Sequence, residues 1–330
     1  MPTKRLSLAL LWLSLAVVPA QALDKISVIH SSVSGSQAIL FVTRDAKLFE
    51  KHGLEVDIRF VAGGPVSVQS LLAGDVQVAV MGAPVAVQAK LKGADMAIIG
   101  GIINSLDHVV FSQPTIKRPE DLKGKRIAVA RFASLDDFAA RLALRRWGLA
   151  PDKDVAFIQL GEQGTRLAAM KGGTVDATLI QPPLTVLARK QGLTELAVLA
   201  DLGIDYLGTS VVTTQTLIKT KEDLIRRFAK ALVEGIHFYK TNKAASLATI
   251  AKFMKLEDAE ALEETYRHYA LKLTPRVPYP SLKGIQTILD DLAQKDPTAA
   301  GAKPEQFVEP RFVRELEETG EIDRLYRGGS

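Results

Sequence analysis

An α/β chain built as two similar lobes, each a mostly parallel sheet flanked by helices with a ligand cleft between them, is what these 330 residues predict. Three observations lead there. Short apolar runs alternate with stretches of helical period, the alternation is played twice about one hundred residues apart, and hydroxyl- and glycine-rich segments collect where strands turn into helices.

The first round reads KISVIHS, SQAILFVTRDAKLFEKHG, LEVDIRFV, VSVQSLLAG, VQVAVMG, PVAVQAKLKG and MAIIGGII. Gly53, Gly74 and Gly93 each close a helical pattern, as glycine does where the backbone must leave the helix. The second round, KRIAVARFASLDDFAARLALRRWGLAPDKDVAFIQL and GTVDATLIQPPLTVLARKQG, repeats the order strand, hydroxyl-bearing corner, long helix ending in Gly-Leu, strand, helix, glycine, strand, proline-initiated helix. The expected division is therefore 23–107 with 208–330 for the first lobe and 108–207 for the second. HVVFSQ and GTSVVTTQT are the candidate crossing strands. From Lys221 onward the patterns are helical and bring no new sheet, so those helices must bury their apolar stripes on an existing lobe, and the first is expected.

The start of the chain reads as a secretory signal. Lys4 and Arg5 precede an apolar run from Leu6 to Val18 that is too short to span a bilayer, and Ala20-Gln21-Ala22 forms a small-residue site. Residues 1–22 are the expected signal peptide, cleaved after Ala22, and a Gram-negative periplasm is the expected compartment. The sequence has no cysteine, which excludes a lipid anchor on a leading Cys, disulfides, thiolate metal sites and a Cys nucleophile. A net charge of +5, or +3 without Lys4 and Arg5, is spread along the chain and implies neither nucleic acid nor a membrane surface as partner. The five histidines lack metal-type spacing and read as helix-end or packing residues, save His30, which ends the first strand beside a serine cluster. A nucleophile elbow, a P-loop and a dinucleotide fingerprint are absent, so no catalytic residue, cofactor or metal is expected.

Ligands of open parallel sheets bind beyond the carboxyl ends of the strands, where helix N-termini offer free N–H groups and partial positive charge. Collecting those corners nominates Ser31, Ser32, Gly35, Ser36 and Gln37 after the first strand, Gly64 and Val66 after the second, Gly82, Ala83 and Pro84 after the third, and Asn104 after the fourth. The second lobe contributes Arg131, Phe132 and Ser134, the corner 161–165, and Gln181 with Pro182; Tyr206, in the polar stretch GIDYLG, is a candidate pocket wall. Each has a structural alternative. Ser32, Ser34 or Ser36 serves equally as an N-cap, Ser134 with Asp137 matches a capping box, Pro84 and Pro183 suit a first helical turn, and Gly63 with Gly64 suits a positive-φ turn. Arg131 is either a bidentate clamp for an acidic group or a salt-bridge partner of Asp136 or Asp137.

HSSVSGSQA, LFEKHGLEVDIRFVAGG, LLAGDVQVAVMGAPV, PEDLKGKRIAVAR and GTVDATLIQPP, in this order and spacing, resemble the periplasmic substrate-binding proteins of ABC importers, in the branch serving nitrate, aliphatic sulfonates, taurine and thiamine-pyrimidine precursors. The resemblance covers nearly the whole mature chain. It implies a type II periplasmic-binding-protein fold and a hinge-closing, non-enzymatic, monomeric receptor. Such a receptor hands a small, anionic solute (a sulfonate, a carboxylate or aromatic acid, or a nitrate-like ion) to a permease with its ATPase. The family's ligand loops fall on Ser31, Ser32, Gly35 and Ser36, on Gly64 and Val66, on 82–84, on 131–134 and on 181–183. One departure is the second-lobe corner, ARFASLDD, where sulfonate binders look richer in Gly, Ser and Thr; its bulk and acidity argue for a larger carboxylate or aromatic ligand. The rivals are an enzyme on the same scaffold and a ligand-sensing domain for a membrane receptor. The pyrimidine-synthesising relatives use a histidine and an iron-associated cysteine cluster that this chain lacks, and the chorismate-derived chemistry is cytoplasmic.

Overall fold

Ten strands are found among residues 22–328, the part of the chain that the computed structural model describes; residues 1–21, which carry most of the expected signal segment, lie outside it. The strands are β1 (Asp24–His30), β2 (Leu54–Phe60), β3 (Val78–Gly82), β4 (Ala97–Ile103), β5 (Val109–Ser112), β6 (Arg126–Val129), β7 (Ala156–Gln159), β8 (Ala177–Ile180), β9 (Thr194–Val198) and β10 (Thr209–Thr213). They form two five-stranded sheets, ordered β2-β1-β3-β10-β4 and β7-β6-β8-β5-β9. The two orders are the same once β1 is matched with β6, so the doubled sequence pattern is a doubled architecture.

Each sheet is parallel except for one strand. β1 pairs in parallel with β2 from Asp24↔Leu54 to His30↔Phe60, and β6 with β7 from Arg126↔Ala156 to Val129↔Gln159. β10 runs antiparallel between β3 and β4, and β5 antiparallel between β8 and β9. The exceptions follow from connectivity. β4 and β9 end at the cleft, so the strand that each crossing feeds must start at the cleft and run away from it. These are the strands expected from HVVFSQ and GTSVVTTQT, and the two-lobed, mostly parallel fold class is borne out.

Burial follows position in the sheet. β3, β4, β8 and β10 are buried along their whole length, as the apolar runs of β3 and β4 require, whereas the edge strands β2 and β7 keep exposed residues. The helix Glu222–Thr241 lays Ile225, Phe228, Ala229, Leu232, Ile236 and Tyr239 onto helix Ala38–Asp45. At their closest approach a Cβ on Gly235 would stand 2.0 Å from Thr43 Oγ1, so only glycine fits. Helix Leu282–Leu292 packs on helix Ala83–Leu91 of the same lobe.

Two C-terminal helices do more than the sequence suggests: helix Leu282–Leu292 also pairs through Asp291 with Arg145 of the second lobe. Helix Ala259–Tyr266 lies against helix Leu184–Lys190 of the second lobe: Arg189 pairs with Glu264, and Lys190 Nζ stands 2.7 Å from Asp258 and 2.9 Å from Glu260. The C-terminal helices thus bridge the lobes instead of resting on the first alone. No helix among the described residues is long and apolar enough to cross a membrane.

Candidate functional site

Where β1 ends, the chain makes a tight corner before helix Ala38–Asp45. The Ser31 amide donates to Val80 O (3.2 Å), the Ser32 carbonyl faces His30 Nδ1 (3.0 Å), and the hydroxyls of Ser34 and Ser36 bond each other at 2.7 Å. Ser34 stands at the N-cap position of a short turn, Gly35–Gln37, with no side-chain capping bond. A Cβ on Gly35 would come within 2.3 Å of the Tyr269 ring, and the Gly35 amide donates across the cleft to Pro182 O at 3.1 Å. The next corner is held by Gly63, at φ +84, and opens helix Gly64–Ala73, whose first-turn N–H groups have no intrahelical partner.

The matching corner of the second lobe is built differently. Its backbone donors are taken up by its own side chains: Ala130 N–H donates to Asp136 Oδ2 (2.8 Å), Ala133 N–H to Asp137 Oδ2 (2.8 Å) and Phe132 N–H to Gln159 Oε1 (2.7 Å). Ser134 is the N-cap residue of helix Leu135–Arg146, but its hydroxyl donates to Arg131 O and pairs closely with Asp136, so the capping box is replaced by a self-contained acidic turn. What the sequence presents as an anion cradle therefore has carboxylates where an anion would sit.

Between the corners lies a cavity of about 40 Å³. The first lobe lines it with Ser31, Ser32, Ser36, Gln37, Gly63, Gly64, Gly82 and Thr209; the second lobe and the crossing supply His108, Ala130, Ser134, Leu135, Asp136, Gly161, Glu162, Gln163, Arg166 and Gln181. The lobes touch around it. Arg131 Nε donates to Ala62 O at 2.9 Å, and a Cβ on Gly82 would stand 2.6 Å from Leu135 Cβ.

Eight of the singly nominated residues meet here, Ser31, Ser32, Ser36, Gln37, Gly64, Gly82, Ser134 and Gln181, together with Gly161, Glu162 and Gln163 of the nominated corner 161–165. The others do not line the cavity. Gly35 sits behind it under Tyr269, while Ala83 and Pro84 are buried in the first turn of helix Ala83–Leu91. Val66 is half-buried in helix Gly64–Ala73, Pro182 offers only its carbonyl to Gly35, and Pro183 precedes its helix instead of entering it. Asn104 braces another loop, donating to Tyr279 O (3.0 Å) and accepting from Ser281 N–H (3.1 Å). Phe132 is 47 % exposed, and Tyr206 is core, packed against Gly284. Of the two roles foreseen for Arg131 the salt bridge is not made: Asp136 pairs with Arg166 and Asp137 with Arg141, and Arg131 is an exposed inter-lobe contact through its Nε.

The arginine that lines the cavity is Arg166, which lies just beyond the corner positions 161–165 that the sequence nominates. Only 2 % exposed, it donates from Nη1 to Asp136 Oδ2 (2.6 Å) and Gly161 O (2.9 Å) and from Nη2 to Leu179 O (3.0 Å). A signal was present: Gln163, Arg166, Leu167 and Met170 form the inward stripe of helix Gln163–Lys171, and a charged residue in such a stripe must find a buried partner.

At the crossing, Asp107 Oδ2 accepts from Gln181 Nε2 of the second lobe (2.6 Å) and from the Tyr269 hydroxyl of the first (2.9 Å). The neighbouring His108 ring places Nδ1 3.3 Å from Asp107 Oδ1, out of line for a hydrogen bond. Burial holds His108 below its ordinary range, against the pull of Asp107 and Asp136, so the ring is neutral. Burial pushes the Glu162 carboxyl up, against the Val33 amide, which donates to it across the cleft, and against Arg166. Among the described residues no group of His, Asp or Glu side chains is placed to hold a metal ion.

Residues 35–245, well over half of the chain, match the family described as NMT1/THI5 like. The chain belongs to that family. It is 29 % identical over 262 residues to a putative binding protein of Brucella abortus, covering 78 % of this chain and 81 % of the relative. It is 28 % identical over 285 residues to the taurine-binding periplasmic protein of Escherichia coli, covering 82 % and 87 %. The alkanesulfonate-binding protein SsuA of Xanthomonas axonopodis, solved with MOPS bound, shares the fold with a TM-score of 0.72 at 20 % identity, covering 88 % of this chain and all of that one. The branch expected from the motifs is the branch found.

Proposed function

We propose that this family member is the periplasmic solute-binding component of an ABC importer, which closes its two lobes on a small solute and passes it unaltered to an inner-membrane permease and ATPase. One observation carries the reading: a single cavity takes its wall from the strand-to-helix corners of both lobes. A ligand that touches both walls binds the closed form better than the open one and shifts the population towards it.

The solute carries an acidic group. The first lobe supplies the hydroxyls of Ser31, Ser32 and Ser36 and the N-terminus of helix Gly64–Ala73, which suit a sulfonate or carboxylate, and a relative bears the name taurine-binding. Several charge-assisted hydrogen bonds, each about 1.5–3 kcal/mol, reach micromolar affinity, roughly 8 kcal/mol, without a covalent step. Titration calorimetry on the mature chain, against sulfonates, carboxylates and nitrate, with the solute recovered and checked by NMR, tests the proposal. Saturable one-site binding with the solute returned intact is the expected result. A chemically altered solute overturns the reading in favour of an enzyme, and the absence of any ligand in that set overturns the acidic-solute assignment.

A further inference from the structure

The cavity wall is unbalanced in charge. Asp136 and Glu162 bring two carboxylates, Arg166 is the one guanidinium, and His108 is neutral. Arg166 is spent on Asp136 and on two carbonyls. Glu162 has no salt-bridge partner among the described residues; its contact across the cleft is a backbone amide, that of Val33. A carboxylate has about four lone-pair sites, so one amide leaves most of its accepting capacity free.

The same wall holds buried polar atoms without partners. Gln37 Oε1 and Thr209 Oγ1, on the first lobe, make no hydrogen bond, although Gln37 is 2 % exposed and Thr209 wholly buried. A buried polar atom left unmade costs about 1–3 kcal/mol, so such atoms mark where a ligand completes the structure. An oxygen acceptor on Gln37 and a free carboxylate on Glu162 call for N–H donors, while the Thr209 hydroxyl, able to donate or accept, suits either end of a ligand. At about 40 Å³ the void has room for roughly three water-sized probes, which keeps these groups within reach of one small molecule.

We propose that the solute is zwitterionic, an amino-sulfonate or amino-carboxylate, and that Glu162 is the specificity-determining residue that receives its ammonium group while the first-lobe serines and the helix Gly64–Ala73 N-terminus receive its acid. This rests on the solute-binding reading above. A solute with an acid alone leaves Glu162 unpaired in a confined space and brings a second negative charge beside it, which selects against simple anions.

The test pairs each amino acid with its deaminated isostere: taurine with ethanesulfonate, β-alanine with propionate, and 4-aminobutyrate with butyrate, titrated at pH 7.5 into the mature protein and into Glu162→Gln and Glu162→Asp. The expected result is at least tenfold preference for the amine-bearing member of one pair, loss of that preference in Glu162→Gln through a 10- to 100-fold weaker amine-bearing ligand, and partial recovery in Glu162→Asp. An unchanged melting temperature of each unliganded variant shows that the loss is local. Equal binding of both members by the native chain, or a preference that survives Glu162→Gln, overturns the proposal and leaves solute binding standing. If no pair binds while nitrate or an aromatic acid does, the zwitterion is likewise overturned and the broader reading kept.

Discussion

Arg166 Nη1 lies 2.6 Å from Asp136 Oδ2, and both side chains are buried in the wall of the inter-lobe cavity. Asp136 Oδ2 also accepts the Ala130 amide at 2.8 Å, so one carboxylate closes a strand end and neutralises a guanidinium at once. Asp136→Ala strands a buried cation and an amide together. The expected cost is about 3–5 kcal/mol, read as a lower urea midpoint with unchanged slope. The double variant Asp136→Leu with Arg166→Met is expected to recover a large part of that loss, because it removes both charges and not one.

Closure depends on an absent methyl group. Gly82 has φ −63, which any residue adopts, yet its Cβ would stand 2.6 Å from Leu135 Cβ in the other lobe. Gly82→Ala is therefore expected to leave each lobe folded while holding the two apart. Small-angle scattering should show a larger radius of gyration under ligand saturation than the native chain gives, and affinity should fall by tenfold or more. A ligand-induced compaction equal to the native one would refute this.

The helix Leu184–Lys190 is fastened to helix Ala259–Tyr266 by Arg189 with Glu264, by Lys190 with Asp258, and by Thr185 Oγ1 donating to Glu264 Oε1 at 2.7 Å. These are largely exposed pairs, worth about 0–1 kcal/mol each and screened by salt. Arg189→Ala with Lys190→Ala is expected to weaken ligand binding by less than tenfold. The native protein, unlike this variant, should lose affinity when sodium chloride is raised from 50 to 500 mM with a neutral-pH buffer.

Acidification is expected to destabilise the chain. His30 and His108 are both held below the ordinary imidazole range, chiefly by burial, with the Ser32 carbonyl opposing at His30 and Asp107 opposing at His108. Below the unfolded value of 6.5 the unfolded chain binds more protons than the folded one. Stability is therefore fully present above pH 6.5 and is lost as pH falls from there towards the depressed folded values. Glu162, whose carboxyl is raised by burial, has the opposite sign: its contribution is present below 4.5 and fades as pH rises through the raised value. Melting temperatures between pH 5 and 8 should fall on the acid side of 6.5, and His108→Gln should flatten that fall.

Much of this was legible in the residues. Period, glycine stops and the doubled pattern specify strands, helices and their order locally, because each follows from which side chains share a face and where the backbone must turn. The two crossing strands are legible as segments, but their antiparallel direction emerges only in the sheets, where a chain that leaves one sheet at the cleft has to enter the next from the same end. Helix Ala259–Tyr266 was less so: its apolar face points to the first lobe, while its charged face, which also fits solvent, is spent on Arg189 and Lys190 of the second.

The site divides along the same line. Serines and glycines at strand ends announce a corner by themselves, and Ser31, Ser32, Ser36, Gly64 and Gly82 are indeed gathered at one cavity. Which charges face it was decided only by the tertiary structure. Arg131 and Arg166 are equally basic in the sequence, but one reaches a carbonyl on the surface and the other is buried against Asp136, thirty residues away. Local order comes from neighbours along the chain, whereas the balance of charge in a cleft is a sum over groups that meet only when the two lobes close.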